Sequence, residues 1–397
     1  MYYLQHIESN IMTRRPIYLG VALALSTSII SASVFAGGVT YKDGDKYLKI
    51  GGRIQLQYRY EDPNNGSSTD DLFFRRLRPY IEGSVHKDWK GKFQFDYGKV
   101  EDDNEVAVKD AYLQYKGFDK IKVTAGNYGF PFSREYLTSS KYQQLVERTF
   151  VGDHNYGTPD RQMGVFINGK NADKKVTYGL AVAMGAIDPD DDKIDMDSLA
   201  NKKSDFNEGI MFGGRVDFHP FGYLKKKQGD FKREKKLTIG VGAYSWNNDD
   251  DNNTRTVGGM ATDPTKPDVD SVTGWEISSG FRNAGFSVDA QYNSFDAETV
   301  DPTVTSGVYR NGETTLTNWS VEGGYMIVPS KWEMVLGYQE QDADGYQDVW
   351  TRTSVGLNWF IKKQDIKVQL SYRMGENLKG QNSKDRDEIF LQTQYVF

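Results

Sequence analysis

The run Phe73-Phe74-Arg75-Arg76-Leu77-Arg78-Pro79-Tyr80 places Arg75, Arg76 and Arg78 within a single short stretch. An arginine offers a planar fork of donors that matches phosphate or carboxylate oxygens two at a time. Arg53 lies in a similar setting, in Gly51-Gly52-Arg53-Ile54-Gln55-Leu56-Gln57-Tyr58. The chemistry these residues offer is electrostatic: they can hold an anion, replace part of its hydration and release it. Parts for covalent or metal chemistry are missing. Cys is absent, and His6, His86, His154 and His219 show no metal-ligand spacing. No phosphate-binding glycine loop, dinucleotide fingerprint or nucleophile elbow occurs. An enzyme is therefore not expected, and neither a cofactor nor a metal.

The elements that must position these residues are strands. Leu48, Ile50, Ile54, Leu56, Tyr58 and Tyr60 share one face of a period-2 pattern, and Lys49, Arg53, Gln55, Gln57 and Arg59 share the other. The pattern recurs over 72–85, 92–97, 110–115, 121–125, 161–168, 176–184, 209–218, 237–246, 272–281, 285–294, 317–326, 332–339, 349–360, 366–373 and 388–397. That predicts about sixteen strands, the even count of single-chain bacterial barrels. Short turns such as Asn283-Ala284 and Pro329-Ser330 alternate with long polar connections (186–208, 247–271, 296–316, 374–387), the asymmetry of a barrel with short inner turns and long outer loops. The basic connection His219–Lys236 reads as a longer inner turn.

Mean hydropathy is −0.64, and beyond the N-terminal region no apolar run reaches the roughly 18 residues of a spanning helix. A membrane barrel is compatible with both, because only every second residue of a strand meets lipid. Arg14 and Arg15, the apolar stretch Ile17–Ile30 and the small-residue site Val34-Phe35-Ala36 form a secretory leader over 1–36. Residues 1–11 precede that pattern, which makes Met12 a plausible start. The barrel domain is expected over 37–397. Ile389, Leu391, Thr393, Tyr395 and Phe397 share a face of a final strand that ends on Phe, similar to the assembly signal of outer-membrane barrels, so the barrel-assembly machinery is an expected partner. Tyr58, Tyr60, Trp89, Trp246, Trp332, Trp350 and Trp359 stand near strand ends and suit interfacial girdles.

An open sheet edge in lipid leaves backbone groups without partners, so the first strand should pair with the last. About sixteen strands enclose an aqueous channel, whereas about eight fill with side chains. The stretch Tyr128–Phe150 breaks the alternation, with Leu137, Tyr142, Leu145, Val146 and Phe150 as apolar anchors and Arg134, Lys141 and Arg148 as cations. A long ordered loop of this kind is usually functional, and it is expected to fold into the barrel and narrow it. The inward phase supplies Lys49, Arg53, Arg59, Arg76, Arg78, Lys92, Lys122, Arg352, Lys367 and Arg373, an anion path inside a chain whose net charge is −6. Strict alternation sends Arg75 toward lipid, so either it lies near the rim or a bulge turns it inward. Global acidity excludes nucleic acid as a partner. The acidic runs Asp188–Asp197 and Asp249–Asp251 read as solvated loops, with bridging of divalent cations or lipopolysaccharide as the alternative.

Several pieces together resemble the phosphate-selective porin O/P family: GGRIQLQY (51–58), FFRR with HKDWKGKFQFDY (73–97), VKDAYLQYKGF (108–118), TSSKYQQLVER (138–148) and the terminal QYVF (394–397). The resemblance implies a trimeric all-β transmembrane antiparallel barrel of about sixteen strands in the Gram-negative outer membrane, with its third loop folded inward and arginines along an anion path. Its pore-site positions fall on Arg53, Arg75, Arg76, Asp110, Ser139 and Ser140, beside which Arg78, Arg134 and Lys141 are neighbouring cations. Between Glu135 and Leu137 the phosphate-specific members carry a lysine, and Tyr136 stands there in this chain. A tyrosine hydroxyl can donate to phosphate but bears no charge near pH 7, so the electrostatic sink would be shallower. The implied function is passive diffusion of small hydrophilic solutes, anions such as phosphate among them. The alternatives are a porin of general or other specificity and, from another class, an exported β-rich adhesin or binding protein. Outer-membrane lipid, lipopolysaccharide and two further copies of the chain are the other implied partners.

Overall fold

The computed structural model describes residues 38–98, 106–188, 190–201, 207–249, 256–257, 260–261 and 266–397. The expected leader over 1–36 with its expected cleavage site, and Asp250 and Asp251, lie outside these. Sixteen long strands form one antiparallel sheet. In chain order they are β1 (Lys46–Pro63), β2 (Thr69–Ser84), β3 (Trp89–Asp96), β4 (Ala107–Tyr115), β5 (Ile121–Gly129), β6 (Arg161–Lys170), β7 (Val176–Asp188) and β8 (Glu208–Phe218). There follow β9 (Lys236–Asn248), β10 (Val269–Asn283), β11 (Phe286–Thr299), β12 (Glu313–Val328), β13 (Trp332–Asp342), β14 (Trp350–Lys362), β15 (Ile366–Glu376) and β16 (Arg386–Val396). Each expected strand is present, most of them longer than the alternation alone indicated.

Strand β1 pairs with β16 from Arg53↔Val396 to Pro63↔Arg386, so the sheet closes on itself. The seam is finished by reciprocal backbone bonds between Gly52 and Phe397 of 2.8 and 3.1 Å. A Cβ on Gly52 would stand 2.6 Å from the Phe397 ring, which explains the glycine within a strand. A short strand, Val39–Asp43, continues along β1 beyond the end of the β16 ladder.

The wall is inverted relative to a water-soluble sheet. On β15 and β16, Leu370, Tyr372, Ile389, Leu391 and Tyr395 are exposed, while Lys367, Gln369, Ser371, Gln392 and Gln394 are buried. The same exposed apolar set runs around the barrel through Phe93, Leu113, Val165, Leu180, Phe212, Val241, Ile277 and Leu336. So large an apolar surface is stable only against lipid.

The barrel interior is partly filled. Residues 130–160 form a one-turn helix, Arg134–Leu137, capped by Ser133, and two short 3-10 turns. Backbone groups that lack sheet partners are met by inward side chains of the wall. Arg134 N–H donates to Glu276 (2.9 Å), Glu135 N–H to Gln291 (2.8 Å) and Phe150 N–H to Gln339 (2.8 Å). Lys367 Nζ donates to the Gln143 carbonyl (2.8 Å), and Gln144 bonds Ser287 and Glu333. Phe130, Phe132 and Phe150 join Trp246, Phe295, Leu316, Tyr346 and Trp350 in an apolar core. Trp246 and Trp350 therefore do not belong to a membrane girdle, contrary to their reading from the sequence: their inward phase puts them in this core. Trp332 and Trp359 do stack together, at 5.7 Å, on adjacent strands.

The connection between β8 and β9 also differs from a plain turn. It carries buried Gln228 and Asp230. Gln144 N–H donates to Gln228 (2.7 Å), Lys227 Nζ lies 3.9 Å from the Tyr142 ring centre, and Phe231 packs on Phe360. The acidic run near 190 is not simply solvated either, since Asp192 pairs with Lys379 (2.5 Å) and Asp195 with both His154 (2.7 Å) and Lys193 (3.2 Å).

Candidate functional site

The apolar core leaves open a cavity of about 1720 Å³. Its lining includes 23 Arg and Lys against 9 Asp and Glu among the described residues, although acids outnumber bases 55 to 49 in the whole chain. Six of these cations, Arg53, Arg59, Arg75, Arg76, Arg78 and Lys92, come from β1 to β3, whereas segment 130–160 brings Lys141 and Arg148 against Glu147, Asp153 and Asp160. Of the inward cations expected from alternation, Arg53, Arg59, Arg76, Arg78, Lys92, Lys122, Arg352 and Arg373 line the cavity, and Lys49 and Lys367 are not among its lining residues.

Arg75 reaches the cavity through a bulge. Gln55 pairs with Arg76 and Leu56 with Phe74, which leaves Arg75 as the extra residue. Its Nε and Nη2 donate to the two oxygens of Glu147 at 2.8 and 3.0 Å. Arg78 is paired with Asp96 at 2.5 Å. Asp110 is held between Lys92 and Arg161, the latter at 2.7 Å. Arg53 and Arg76 contrast with these. Arg53 donates to Ser139 Oγ (3.3 Å) and Arg76 to Gln55 (3.2 Å); among the described residues neither forms a close ion pair, Asp96 and Glu147 acting on them only at longer range, and the Nε of each is buried without a partner. Both side chains are less than one-tenth exposed, so each holds a poorly compensated positive charge at the cavity wall.

Tyr136, Ser139, Ser140 and Lys141 also line the cavity. Tyr136 donates its hydroxyl to Asp160 (2.7 Å), and the Arg148 guanidinium lies 5.4 Å from its ring centre. Burial and the Asp160 carboxylate hold that phenol well above its ordinary pKa, so it stays neutral. Asp160 also receives Lys109 (3.3 Å) and Arg161 (3.1 Å); burial pushes its pKa up, these cations pull it further down, and it remains ionised. Arg134 is placed elsewhere: it is buried against the wall, bonded to Asp289 at 3.0 Å, and does not line the cavity. Glu147, Lys109, Asp160 and Arg161 were not singled out from the sequence. The neighbouring opposite charges Glu147-Arg148 and Asp160-Arg161 were the available signal, but sequence spacing does not show which strand each side chain reaches.

A closed barrel of this kind, apolar outside and lined with charge inside, defines an outer-membrane channel protein. Residues 48–397 match the family model Phosphate-selective porin O and P, and the chain belongs to that family. It is 24% identical to Porin O of Pseudomonas aeruginosa over 96% of this chain and 98% of that protein. It is 26% identical to an uncharacterized protein of Aquifex aeolicus over 88% of this chain and 87% of that one. Among solved structures, an anion-selective porin from Comamonas acidovorans superposes with a TM-score of 0.58 at 11% identity, covering 89% of this chain and all of that one (100%). The outer membrane channel DcaP of Acinetobacter baumannii gives 0.58 at 16% identity over 91% of this chain and 99% of that one. OmpT of Vibrio cholerae in a trimer form gives 0.53 at 14% identity over 88% and 99%. At such identities the structural likeness speaks to the fold.

Proposed function

We propose that the chain, freed of its leader, forms a passive channel for small hydrophilic anions, phosphate among them, in which segment 130–160 is the constriction. The observation that carries this reading is the unbalanced positive charge of the cavity, above all Arg53 and Arg76, which form no close ion pair among the described residues. An anion entering the narrow part would exchange some of its water for these two guanidiniums and the Ser139 and Ser140 hydroxyls. Conduction also requires release, so each station must bind weakly. The reading extends to a homotrimer with one passage in each copy, in keeping with the trimer form of the Vibrio cholerae neighbour.

Reversal potentials across a lipid bilayer under a KCl gradient test the proposal. Anion selectivity is expected, and clear cation selectivity would overturn it. A second reading, a channel without preference for phosphate, is favoured by Tyr136. Its hydroxyl is committed to Asp160, and it brings no charge where the family's phosphate-specific pattern has a lysine. That reading predicts that phosphate blocks the chloride current of the natural chain only weakly.

A further inference from the structure

Glu147 occupies a ready-made anion site. Arg75 on β2 and Gln57 on β1 present three donors to it: Arg75 Nε and Nη2 at 2.8 and 3.0 Å, and Gln57 Nε2 at 3.0 Å. The two-point contact with the guanidinium is the one a free carboxylate or phosphate makes. Arg76 is adjacent, with its Nε unpartnered. The Glu147 side chain lines the cavity and is 17% exposed, so a solute in the passage can reach the same donors. Arg78–Asp96 joins two neighbouring wall strands, whereas the Arg75 partner is delivered from segment 130–160, 72 residues along the chain. Burial pushes the Glu147 carboxyl up and Arg75 pulls it down further, to below the ordinary carboxylate range, so the group is charged near neutral pH.

We propose that Glu147 is a tethered competitor for the solute anion, and that it limits how tightly the passage holds oxyanions. The inference rests on the anion-channel reading above. With Glu147 in place, an oxyanion finds Arg53 and Arg76 but must displace a carboxylate to reach Arg75 and Gln57. Without it, Arg75, Arg76 and Gln57 form one open pocket whose fork suits two oxygens of a phosphate or carboxylate, and chloride, a single point, gains less. The device would favour fast passage over tight capture.

The test is a double-mutant cycle on the full-length chain in planar bilayers, with inorganic phosphate as the blocker of chloride current. Glu147→Gln removes the charge and retains the size. It should strengthen phosphate block about tenfold, the effect of one charge-assisted hydrogen-bonded partner made available. Arg75→Gln added to Glu147→Gln should return the block to its natural level. Should Glu147→Gln fail to yield heat-modifiable barrel, Glu147→Asp keeps the charge but withdraws it from the fork by one methylene, and should strengthen block by a smaller factor. Unchanged block in a folded variant would overturn the proposal. So would a noisier or larger chloride current without a change in block, which would mark Glu147 as merely a strut for the segment. Cation selectivity of the natural chain would instead defeat the anion-channel reading itself, so the two failures are distinguishable.

Discussion

Arg76 and Arg78 are near neighbours on one strand with opposite environments. Arg78 balances Asp96 at 2.5 Å, whereas Arg76 hydrogen-bonds the neutral Gln55 and has Glu147 only at longer range. Arg78→Ala strands a buried carboxylate, and breaking a buried pair in this way costs about 3–5 kcal/mol. Its heat-modification midpoint on a gel should fall clearly. Arg76→Ala removes a charge that forms no close ion pair among the described residues, so its midpoint should be unchanged or higher while its chloride-to-potassium permeability ratio drops. At position 136 the expected gain is in phosphate affinity. Asp160 already receives Tyr136, Lys109 and Arg161, so an ammonium from Tyr136→Lys adds charge that the carboxylate has little capacity left to neutralise. Titrating the chloride current with phosphate should show stronger block in that variant; equal block would mean that Asp160 absorbs the new charge.

At the scale of elements, the sixteen strands were legible because one face of each meets lipid and the other meets water or polar groups. Legibility failed where that contrast fails. Trp246 and Trp350 are apolar and inward, because the interior carries an apolar core of its own, and position near a strand end could not reveal it. Arg75 was legible only as a conflict between charge and parity, and the bulge between Gln55 and Leu56 resolves it. The inward fold of the β8–β9 connection was hidden in a basic run that reads in sequence as no more than a longer inner turn. The inner segment was legible as a break in alternation over Tyr128–Phe150, but its extent over 130–160 and its partners, being long-range, were not.

One outer-loop contact has a pH signature. His154, on the inner segment, meets Asp195 at 2.7 Å, with Lys193, Asp153 and Asp160 nearby. Burial lowers the His154 pKa, but Asp195 raises it more, to about 9 from an ordinary 6.5. The stabilisation is therefore fully present below about 6.5 and is lost as pH climbs through about 9. The thermal midpoint of the natural chain should decline between these values, and His154→Gln should flatten the decline.

On the scale of the whole molecule, closure depends on the contact of Gly52 with Phe397. Any side chain at Gly52 meets the ring at 2.6 Å, so Gly52→Val should reduce the yield of heat-modifiable barrel on refolding into detergent. Gly44, whose added Cβ would meet nothing within 4 Å, makes the control position, although its φ of +56° favours glycine and calls for Asn there. The cavity charge opposes the global charge, so net composition predicted no more than the absence of nucleic-acid binding. The sign of the interior had to be read strand by strand.

The inner segment also touches both edges that meet at the seam. Ser139 accepts from Arg53 on β1, 86 residues away, and the Lys141 carbonyl accepts from Gln394 on β16, 253 residues away. Zipping the seam directly brings together Gln55 and Gln394, 339 residues apart, with no reward until the ends meet. The segment's two contacts span 86 and 253 residues, so closure through it would divide the same search into two shorter ones. Bonded to both edges of the seam, the segment proposed as the constriction is placed to template closure, and its removal should slow barrel formation even where the final barrel is reached.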